Sequence, residues 1–238
     1  MKLSLILFFY SVFAFGNSQY HQCPDGEFVQ HQYFKLCYSE IHEQAYWVAH
    51  DLTPENISGT QSRTNNFRSD PKVSTESAGA SDYRGSGFDR GHLVPAGDMK
   101  QNYISMSETF FMSNMSPQDP GFNRGIWRVL EEKIRTWVGQ DRIVVVTGPI
   151  LYQGLPQMNS ISIPDAYFKL LFNVSKNKMI AFVLPNKKSQ ADLRNFATSV
   201  DEVERLTGIN FFARLPREAQ DSLEQMQDYE TWDSGSKI

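Results

Sequence analysis

Apolar positions in the second half of the chain predict three buried strands. Arg142–Thr147, Tyr167–Val174 and Met179–Leu184 are short runs rich in β-branched, aromatic and leucine residues. Gly148-Pro149 ends the first run and Pro185-Asn186 the third, as expected at the ends of strands. Strands and helices that follow one another without strict βαβ alternation favour an α+β fold with a mainly antiparallel sheet.

One further segment is predicted to be helical and another to be a loop. Ser189–Leu206 is predicted to be helical in two parts, which open at Ser189 and at Ser199 or Asp201, because Ser199 precedes Glu202 in the manner of a capping box. Residues 55–87 are rich in Ser, Thr, Asn and Gly and predict a long loop region.

A strand followed by a helix is predicted between residues 109 and 137. Thr109–Met112 is short and apolar, and Asp119-Pro120 supplies a capping acceptor followed by a proline for the first helical turn. The helix has one apolar stripe and a neighbouring mixed stripe. Their members are Ile126, Leu130, Ile134 and Trp137 on the first stripe, and Asn123, Trp127, Glu131 and Arg135 on the second.

The N-terminus carries an apolar run with the features of a signal peptide. Leu3–Phe15 follows Lys2 and ends in small residues, so we expect cleavage after Gly16. A transmembrane anchor would need about 20 apolar residues, and a mitochondrial presequence would contain arginine, which the first 25 residues lack. With 40% hydrophobic residues in 238, we predict one domain over residues 17–238 and a secreted or periplasmic protein.

The two cysteines lie just after this run. In an oxidising compartment Cys23 and Cys37 are expected to pair, which would stabilise the fold by about 3 kcal/mol in the entropic model. The alternative is a zinc site that includes His21 and His31, although their spacing matches no usual pattern.

Charge neither supports nor excludes a polyanionic partner. The formal net charge is -4, and an acidic tail from about Arg217 to Ile238, with two basic and six acidic residues, accounts for all of it. The rest of the chain is balanced, and a nucleic-acid enzyme needs only a local group of cations at its groove.

Candidate chemistry begins at Asp89-Arg90-Gly91-His92. A neutral imidazole can accept a proton from water, and a guanidinium can bind a phosphate oxygen and offset charge in a transition state. The alternative is a turn in which Asp89 and Arg90 form a structural ion pair and His92 is a surface residue.

The mixed stripe of the helix adds a second candidate group. Asn123, Glu131 and Arg135 share one flank and could hold a hydrated cation and a phosphate beside the strand that carries His92. The alternative is a solvated face with one Glu131–Arg135 pair.

Several ordered motifs together resemble the DNA/RNA non-specific endonuclease family, whose site is of the ββα-metal (His-Me finger) type and which includes endonuclease G and secreted bacterial nucleases. Coverage runs from about Tyr46 to Pro216, and the exported, cysteine-bearing N-terminus favours the secreted bacterial branch. The motifs are Tyr83–Phe88 before Asp89–His92, Ser113–Gln118, Asn123–Trp127, Val146–Pro149, Phe168-Lys169, Ala181–Asn186, and Ser199–Glu204 leading to Gly208 and Phe211-Phe212.

The resemblance implies a role for each matching residue in hydrolysis of DNA and RNA to 5′-phosphate products. The cofactor would be Mg²⁺, for which Mn²⁺ can substitute. The implied roles are His92 as general base, Asn123 as the direct metal ligand, Arg90 as phosphate contact, Glu131 acting through metal-bound water, Arg135 at the leaving phosphate and Asn114 as support.

Some features are left open by the resemblance. An arginine common in the family upstream of the Asp-Pro pair aligns with Asn65, so either Arg63 or Arg68 could replace it. His21, His31, His42 and His50 are expected to have surface or structural roles. Relatives often dimerise, so a homodimer is possible, and no membrane association is expected after signal cleavage. Two other functions are a phosphodiesterase for small nucleotides and an inactive nucleic-acid-binding domain.

Overall fold

A computed structural model describes residues 21–233. The strands are β1 Glu27–Gln30, β2 Phe34–Ser39, β3 Gln44–Leu52, β4 Asp89–His92, β5 Met115–Gln118, β6 Ile143–Pro149, β7 Gln157–Met158, β8 Ile161–Ser162, β9 Ala166–Asn173, β10 Lys178–Pro185 and β11 Ala197–Thr198. The α-helices are α1 Pro54–Ser58, α2 Tyr103–Glu108, α3 Arg128–Trp137, α4 Val200–Thr207, α5 Arg217–Leu223 and α6 Tyr229–Asp233. Short 3₁₀ turns span Ala80–Tyr83, Ala96–Asp98, Met112–Asn114 and Leu193–Phe196.

The central sheet has seven strands in the order β1-β2-β3-β6-β9-β10-β11, and each neighbouring pair is antiparallel. The three strands predicted from apolar runs are β6, β9 and β10, so those predictions and the predicted α+β class are confirmed. Strands β6, β9 and β10 lie inside the sheet and are buried along most of their length.

Both faces of the sheet are covered. Because side chains alternate along a strand, Ile143 and Val145 of β6 pack on one face with the apolar stripe of α3, whereas Val144 and Val146 pack on the other face with α4 and the segment that follows it. The sheet therefore separates α3 from α4 and α5.

A two-stranded ribbon of β4 and β5 lies beside this sheet, with Asp89 opposite Gln118 and His92 opposite Met115. The strand predicted at Thr109–Met112 is wrong: Thr109 and Phe110 form a turn after α2, Phe111 makes an isolated bridge to Arg68, and Met112 begins a 3₁₀ turn. The strand begins at Met115.

The helix after β5 begins at Pro120, as predicted, and Asp119 Oδ1 accepts hydrogen bonds from the backbone N–H groups of Gly121 and Phe122 at 2.7 and 3.0 Å. Residues Phe122–Trp127 form a wide, π-type segment in which Gly125 departs from helical geometry, with φ -104° and ψ -114°. All four residues of the predicted apolar stripe are buried: Ile126, Leu130, Ile134 and Trp137.

The helix predicted over Ser189–Leu206 is only partly confirmed. Ser199 caps α4 by accepting from the Glu202 backbone N–H at 3.2 Å. The first part is wrong, since it holds only a 3₁₀ turn and β11. Pairing of β11 with β10 adds a strand to the sheet edge and takes these residues out of a helix.

The N-terminal region is held to the sheet by a disulfide between Cys23 and Cys37, which confirms the predicted pairing. The predicted signal peptide lies outside the described residues. Within residues 21–233, every helix is too short or too polar to cross a bilayer.

The four other histidines are buried, so a surface role is wrong and the structural role is confirmed. Three of them bond to side chains: His31 to Asp70, His42 to Ser162 and His50 to Asp98. His21 Nδ1 accepts from the backbone N–H of Phe212.

The described part of the acidic segment, residues 217–233, is folded. It contains α5 and α6, and Leu223, Tyr229 and Trp232 are buried. Tyr229 and Trp232 pack with Trp137 of α3, so this segment reaches the helix that carries the candidate site.

Candidate active site

His92 is the last residue of β4, and its ring is packed between two phenylalanines. The Phe110 and Phe67 rings meet it roughly edge-on, with centroids at 4.9 and 5.9 Å. Burial lowers the pKa of His92 to about 3, with a further contribution from the positive charges of Arg63 and Arg90. Its Nε2 is buried without a hydrogen-bond partner among the described residues. The imidazole is therefore neutral at physiological pH and has an unsatisfied nitrogen.

Two guanidinium groups stack on the same phenylalanines. Arg90 lies 4.0 Å from the Phe67 ring centroid, and Arg63 lies 4.8 Å from that of Phe110. Arg63 Nε also donates to Asn65 Oδ1 at 2.8 Å. Stacking on an aromatic face orients an arginine while leaving its N–H groups free to bind a phosphate. The two cations flank His92 and suit an anionic substrate.

Arg68, the other candidate for the upstream arginine, makes its contacts within the protein. It stacks on Phe111 at 3.9 Å, and its Nη1 donates to the backbone oxygens of Asn66 and Ser107 at 3.1 and 3.0 Å. Of the two upstream arginines, Arg63 is the one whose charge acts on His92.

Asn123 is tied to the first residue of the His92 strand. Its Nδ2 donates to Asp89 Oδ2 at 2.9 Å, and Arg124 binds both oxygens of the same carboxylate. The ion-pair partner of Asp89 is thus Arg124, and the alternative of a structural Asp89–Arg90 pair is wrong. The bond orients the Asn123 amide and does not use Oδ1, which is the atom that a metal would bind.

Asn114 is fully buried and fixes the chain after His92. Its Oδ1 accepts from the Val94 N–H at 2.9 Å, and its Nδ2 donates to the Val94 and Thr109 oxygens at 3.1 and 2.8 Å. Its backbone oxygen accepts from the Leu93 N–H at 3.0 Å. These bonds support the site, and Asn114 has little surface to offer a substrate.

Glu131 of α3 interacts electrostatically with a buried lysine. Burial raises the pKa of Glu131 to about 7, while the Lys169 charge opposes that rise. Lys169, on β9, is 1% exposed and donates through Nζ to Thr147 Oγ1 at 2.9 Å and to the Leu93 oxygen at 3.4 Å. Burial lowers the pKa of Lys169, and Glu131 favours its charged form. The charge of Lys169 therefore acts on Glu131, while its ammonium group bonds to the chain just after His92.

Arg135 forms an ion pair with the buried carboxylate of Asp98. Its Nη1 donates to Asp98 Oδ1 at 2.7 Å, and the other oxygen of Asp98 contacts His50 Nε2 at 3.2 Å. The alternative of a plain Glu131–Arg135 surface pair is therefore wrong, because the ion pair of Arg135 is with Asp98. The Arg135 side chain remains 22% exposed.

Gly91 allows close packing within the β4–β5 ribbon. A Cβ at this position would lie 2.1 Å from Cδ of the Gln118 side chain, well inside van der Waals contact. Gln118 is fully buried, so its side chain has little room to move. The glycine of the four-residue motif is required for this contact between the strands.

The structure brings the sequence-predicted residues to one region by direct contacts or through shared charges. Asn123 reaches Asp89 on the strand of His92, Asn114 fixes the chain that follows it, and the Arg63 charge acts on both His92 and Glu131. Phe67, Phe110 and Lys169 were not predicted from the sequence to belong to the site. Phe168-Lys169 stood among the similar motifs, and an isolated lysine inside an apolar strand was the signal that could have identified it.

The donor set fits a hydrated magnesium ion. Mg²⁺ prefers oxygen ligands and keeps several waters. In the described part of the chain, the single group of three close His, Cys, Asp or Glu ligands is formed by two residues of α4 and one just after α5, away from this site. An ion here would therefore rely on the Asn123 amide oxygen, water and substrate.

Two antiparallel strands and a helix that together present His92 and Asn123 define a ββα-metal fold. Comparison with known proteins supports this assignment. The model of the DNA/RNA non-specific endonuclease family matches residues 14–218. A nuclease of Nostoc sp. is 33% identical over 223 residues, covering 86% of this chain and 80% of that protein. Human mitochondrial endonuclease G is 32% identical over 203 residues, covering 76% and 68%.

A solved structure shows the same fold. EndoG in the crystal structure of the EndoG/EndoGI complex superposes with a TM-score of 0.73 at 26% identity, covering 84% of this chain and 91% of that one. The chain belongs to the DNA/RNA non-specific endonuclease family.

Proposed function

We propose that the chain is a secreted or periplasmic, Mg²⁺-dependent endonuclease whose mature domain spans residues 17–238. It would hydrolyse phosphodiester bonds of DNA and RNA and leave 5′-phosphate ends. The observation that carries the proposal is the neutral imidazole of His92, whose Nε2 is buried without a partner among the described residues and whose ring is flanked by two oriented guanidinium groups.

His92 would act as the general base. A pKa of about 3 keeps the free imidazole neutral, so it can accept a proton from water. An anionic phosphate bound by Arg90 and Arg63 offsets the two charges that lower this pKa, so the basicity of His92 would rise when substrate binds. The base would then be strongest when the scissile phosphate is in place.

The arginines would bind the substrate and stabilise the charge that develops on it. Arg90 and Arg63 are both exposed, and each guanidinium stacks on a phenylalanine ring. Arg135 would contact the leaving phosphate through the N–H groups that Asp98 does not use. Phosphate contacts carry no base-edge information, so cutting is expected to be indifferent to sequence.

Asn123 would hold the metal through Oδ1, and Glu131 would orient water near it. When bound, Mg²⁺ would offset negative charge on the scissile phosphate and stabilise the departing 3′ oxygen; Mn²⁺ can substitute. Asp89 fixes the amide of Asn123, and Asn114 fixes the chain behind His92. These contacts restrict the movement of the Asn123 amide and of the His92 imidazole.

Secretion is supported by the Cys23–Cys37 disulfide, which persists in oxidising compartments. A reporter fused after residues 1–16 would be exported if the proposed signal peptide is correct. Retention of the reporter in the cytoplasm would contradict this part of the proposal. Gel filtration would decide whether the enzyme forms the homodimer that the resemblance allows.

The test of the activity is incubation of the purified protein with plasmid DNA, with RNA and with a small nitrophenyl phosphodiester, each with Mg²⁺ or with chelator. We expect cleavage of both polymers, with internal cuts, only when Mg²⁺ is present. Cleavage of the small ester alone would favour a small-nucleotide phosphodiesterase, and binding without cleavage would favour an inactive nucleic-acid-binding domain.

A further inference from the structure

A second group of acidic side chains lies away from the active site. Asp201 and Glu204 of α4 and Glu224, just after α5, place one carboxylate oxygen each within 4.8 Å of one another. Helices α4 and α5 contribute to the core on the sheet face opposite α3, so the sheet separates this group from the active site.

Glu224 is an unusual member of the group because one of its carboxylate oxygens is buried without a partner among the described residues. The residue is 4% exposed, and its Oε1 makes no hydrogen bond within the described chain. An ionised carboxylate in such a position is strongly unfavourable unless a cation or donor satisfies it. The buried oxygen is an observation independent of the acidic composition, and it points to a missing positive partner.

Within residues 21–233, the charges that act on Glu224 are all negative. Its electrostatic neighbours in the described residues are Glu204, Asp201 and Asp221, and all three are acidic. Burial and these charges raise the pKa of Glu224 to about 8. Burial likewise raises the pKa of Glu204, whose Oε1 accepts one bond from the Phe211 N–H.

We propose that Asp201, Glu204 and Glu224 form a second metal site, which binds a hard divalent cation of the Ca²⁺ type and is separate from the catalytic centre. Ca²⁺ accepts six to eight oxygens at about 2.3–2.6 Å in irregular geometry, so ligand oxygens up to about 5 Å apart fit around it. Mg²⁺ requires oxygens no more than about 4.2 Å apart and a near-octahedral arrangement.

Such a cation would connect α4 to the C-terminal segment. Asp201 and Glu204 are on α4, whereas Glu224 follows α5, and the Asp201 N–H already donates to the Glu224 backbone oxygen at 3.1 Å. Binding would replace repulsion among three carboxylates by attraction to one ion. The site would therefore stabilise the packing of residues 216–233 without touching the nucleolytic groups.

The test measures Ca²⁺ binding in the Asn123→Ala protein, which lacks the proposed catalytic ligand. Equilibrium dialysis should give one Ca²⁺ bound per chain, and Ca²⁺ should raise the Tm by roughly 3–8 °C at millimolar concentration. Adding Glu224→Gln should abolish both effects. Adding Glu202→Gln is the matched control, because Glu202 lies on the same helix but pairs with Arg205, and it should leave both effects intact.

A further variant keeps the proposal testable if Glu224→Gln impairs folding. Asp201→Asn changes an exposed residue and should weaken Ca²⁺ binding at least tenfold while the protein stays folded.

Absence of Ca²⁺ binding in Asn123→Ala, or binding that survives both Glu224→Gln and Asp201→Asn, would overturn the site. A Glu224→Gln protein that is more stable while the parent ignores Ca²⁺ would also overturn it, because Glu224 would then be only a buried neutral acid. Nuclease activity in Mg²⁺ should remain in Glu224→Gln, so failure of this inference is distinct from failure of the proposed function.

Discussion

The side-chain amide of Asn123 donates to Asp89 Oδ2 at 2.9 Å, which joins the start of the site helix to the strand that ends in His92. The helix is irregular at this point, because the π-type segment contains Gly125 in a non-helical conformation. The bond to Asp89 therefore determines where the Asn123 oxygen lies.

Replacing Asp89 with alanine should raise the Mg²⁺ concentration needed for half-maximal cleavage, because the Asn123 amide loses its anchor. Asn123→Ala should raise it further, since it removes the proposed ligand itself. Arg124→Ala is the matched control: Arg124 binds the same carboxylate, but its side chain is 72% exposed. A Mg²⁺ titration of each variant gives the result, and an unchanged curve for Asn123→Ala would exclude it as a ligand.

Arg63 and Arg68 should respond differently to substitution. Arg63→Ala should lower kcat/KM by roughly 10- to 100-fold, the value of a charge-assisted phosphate contact of about 1.5–3 kcal/mol. It should also raise the pKa of His92, since one of the charges that lower it is gone. Both quantities are accessible by steady-state kinetics and by NMR titration of the imidazole.

Arg68→Ala is the comparison for that experiment. Because Arg68 bonds to two backbone oxygens, we expect a lower Tm with kcat/KM nearly unchanged. The reverse pattern, with activity lost in Arg68→Ala and retained in Arg63→Ala, would assign the phosphate contact to Arg68.

The pH dependence of cleavage should follow Glu131 on the acid side. Its carboxyl group has a pKa raised to about 7, so the ionised form is lost as pH falls through that value, or through a lower one when a nearby cation favours the carboxylate. His92, with a pKa of about 3, stays neutral over this range and adds nothing to the acid limb of the free enzyme. In Glu131→Gln, kcat/KM should be lower and its acid limb should disappear. Persistence of the same limb would show that another group titrates.

The parts of the fold that sequence predicted well are those with local patterns. β6, β9 and β10 are apolar runs ended by turn residues, and Asp119 and Ser199 cap helices by bonds that span two or three residues. Such signals do not depend on distant parts of the chain.

The errors fall where distant contacts decide the local structure. Strand β5 contains Ser116, Pro117 and Gln118, and it is a strand because β4 supplies its hydrogen bonds. Likewise β11 forms because it meets the edge of β10, which overrides the helical spacing of the preceding residues. Propensity is a weak guide in both cases.

The candidate site shows the same division. The motif Asp89–His92 and the helix flank were visible in the sequence, and the resemblance supplied their proposed roles. Phe67, Phe110 and Lys169 are brought to His92 from other segments of the chain, and no local pattern records that they meet. A buried lysine also contradicts the usual expectation for charged residues, which are almost never fully buried unless paired.

Cleavage and DNA binding by His92→Ala test most directly whether His92 is the general base. Removal of the imidazole leaves Arg90, Arg63 and Asn123 in place, so DNA affinity should stay within about threefold of the unmodified enzyme, while the cleavage rate should fall by about 10²- to 10⁴-fold. Added free imidazole should restore part of that rate. Cleavage within a few-fold of the unmodified enzyme would show that the base is another group and would contradict the central claim.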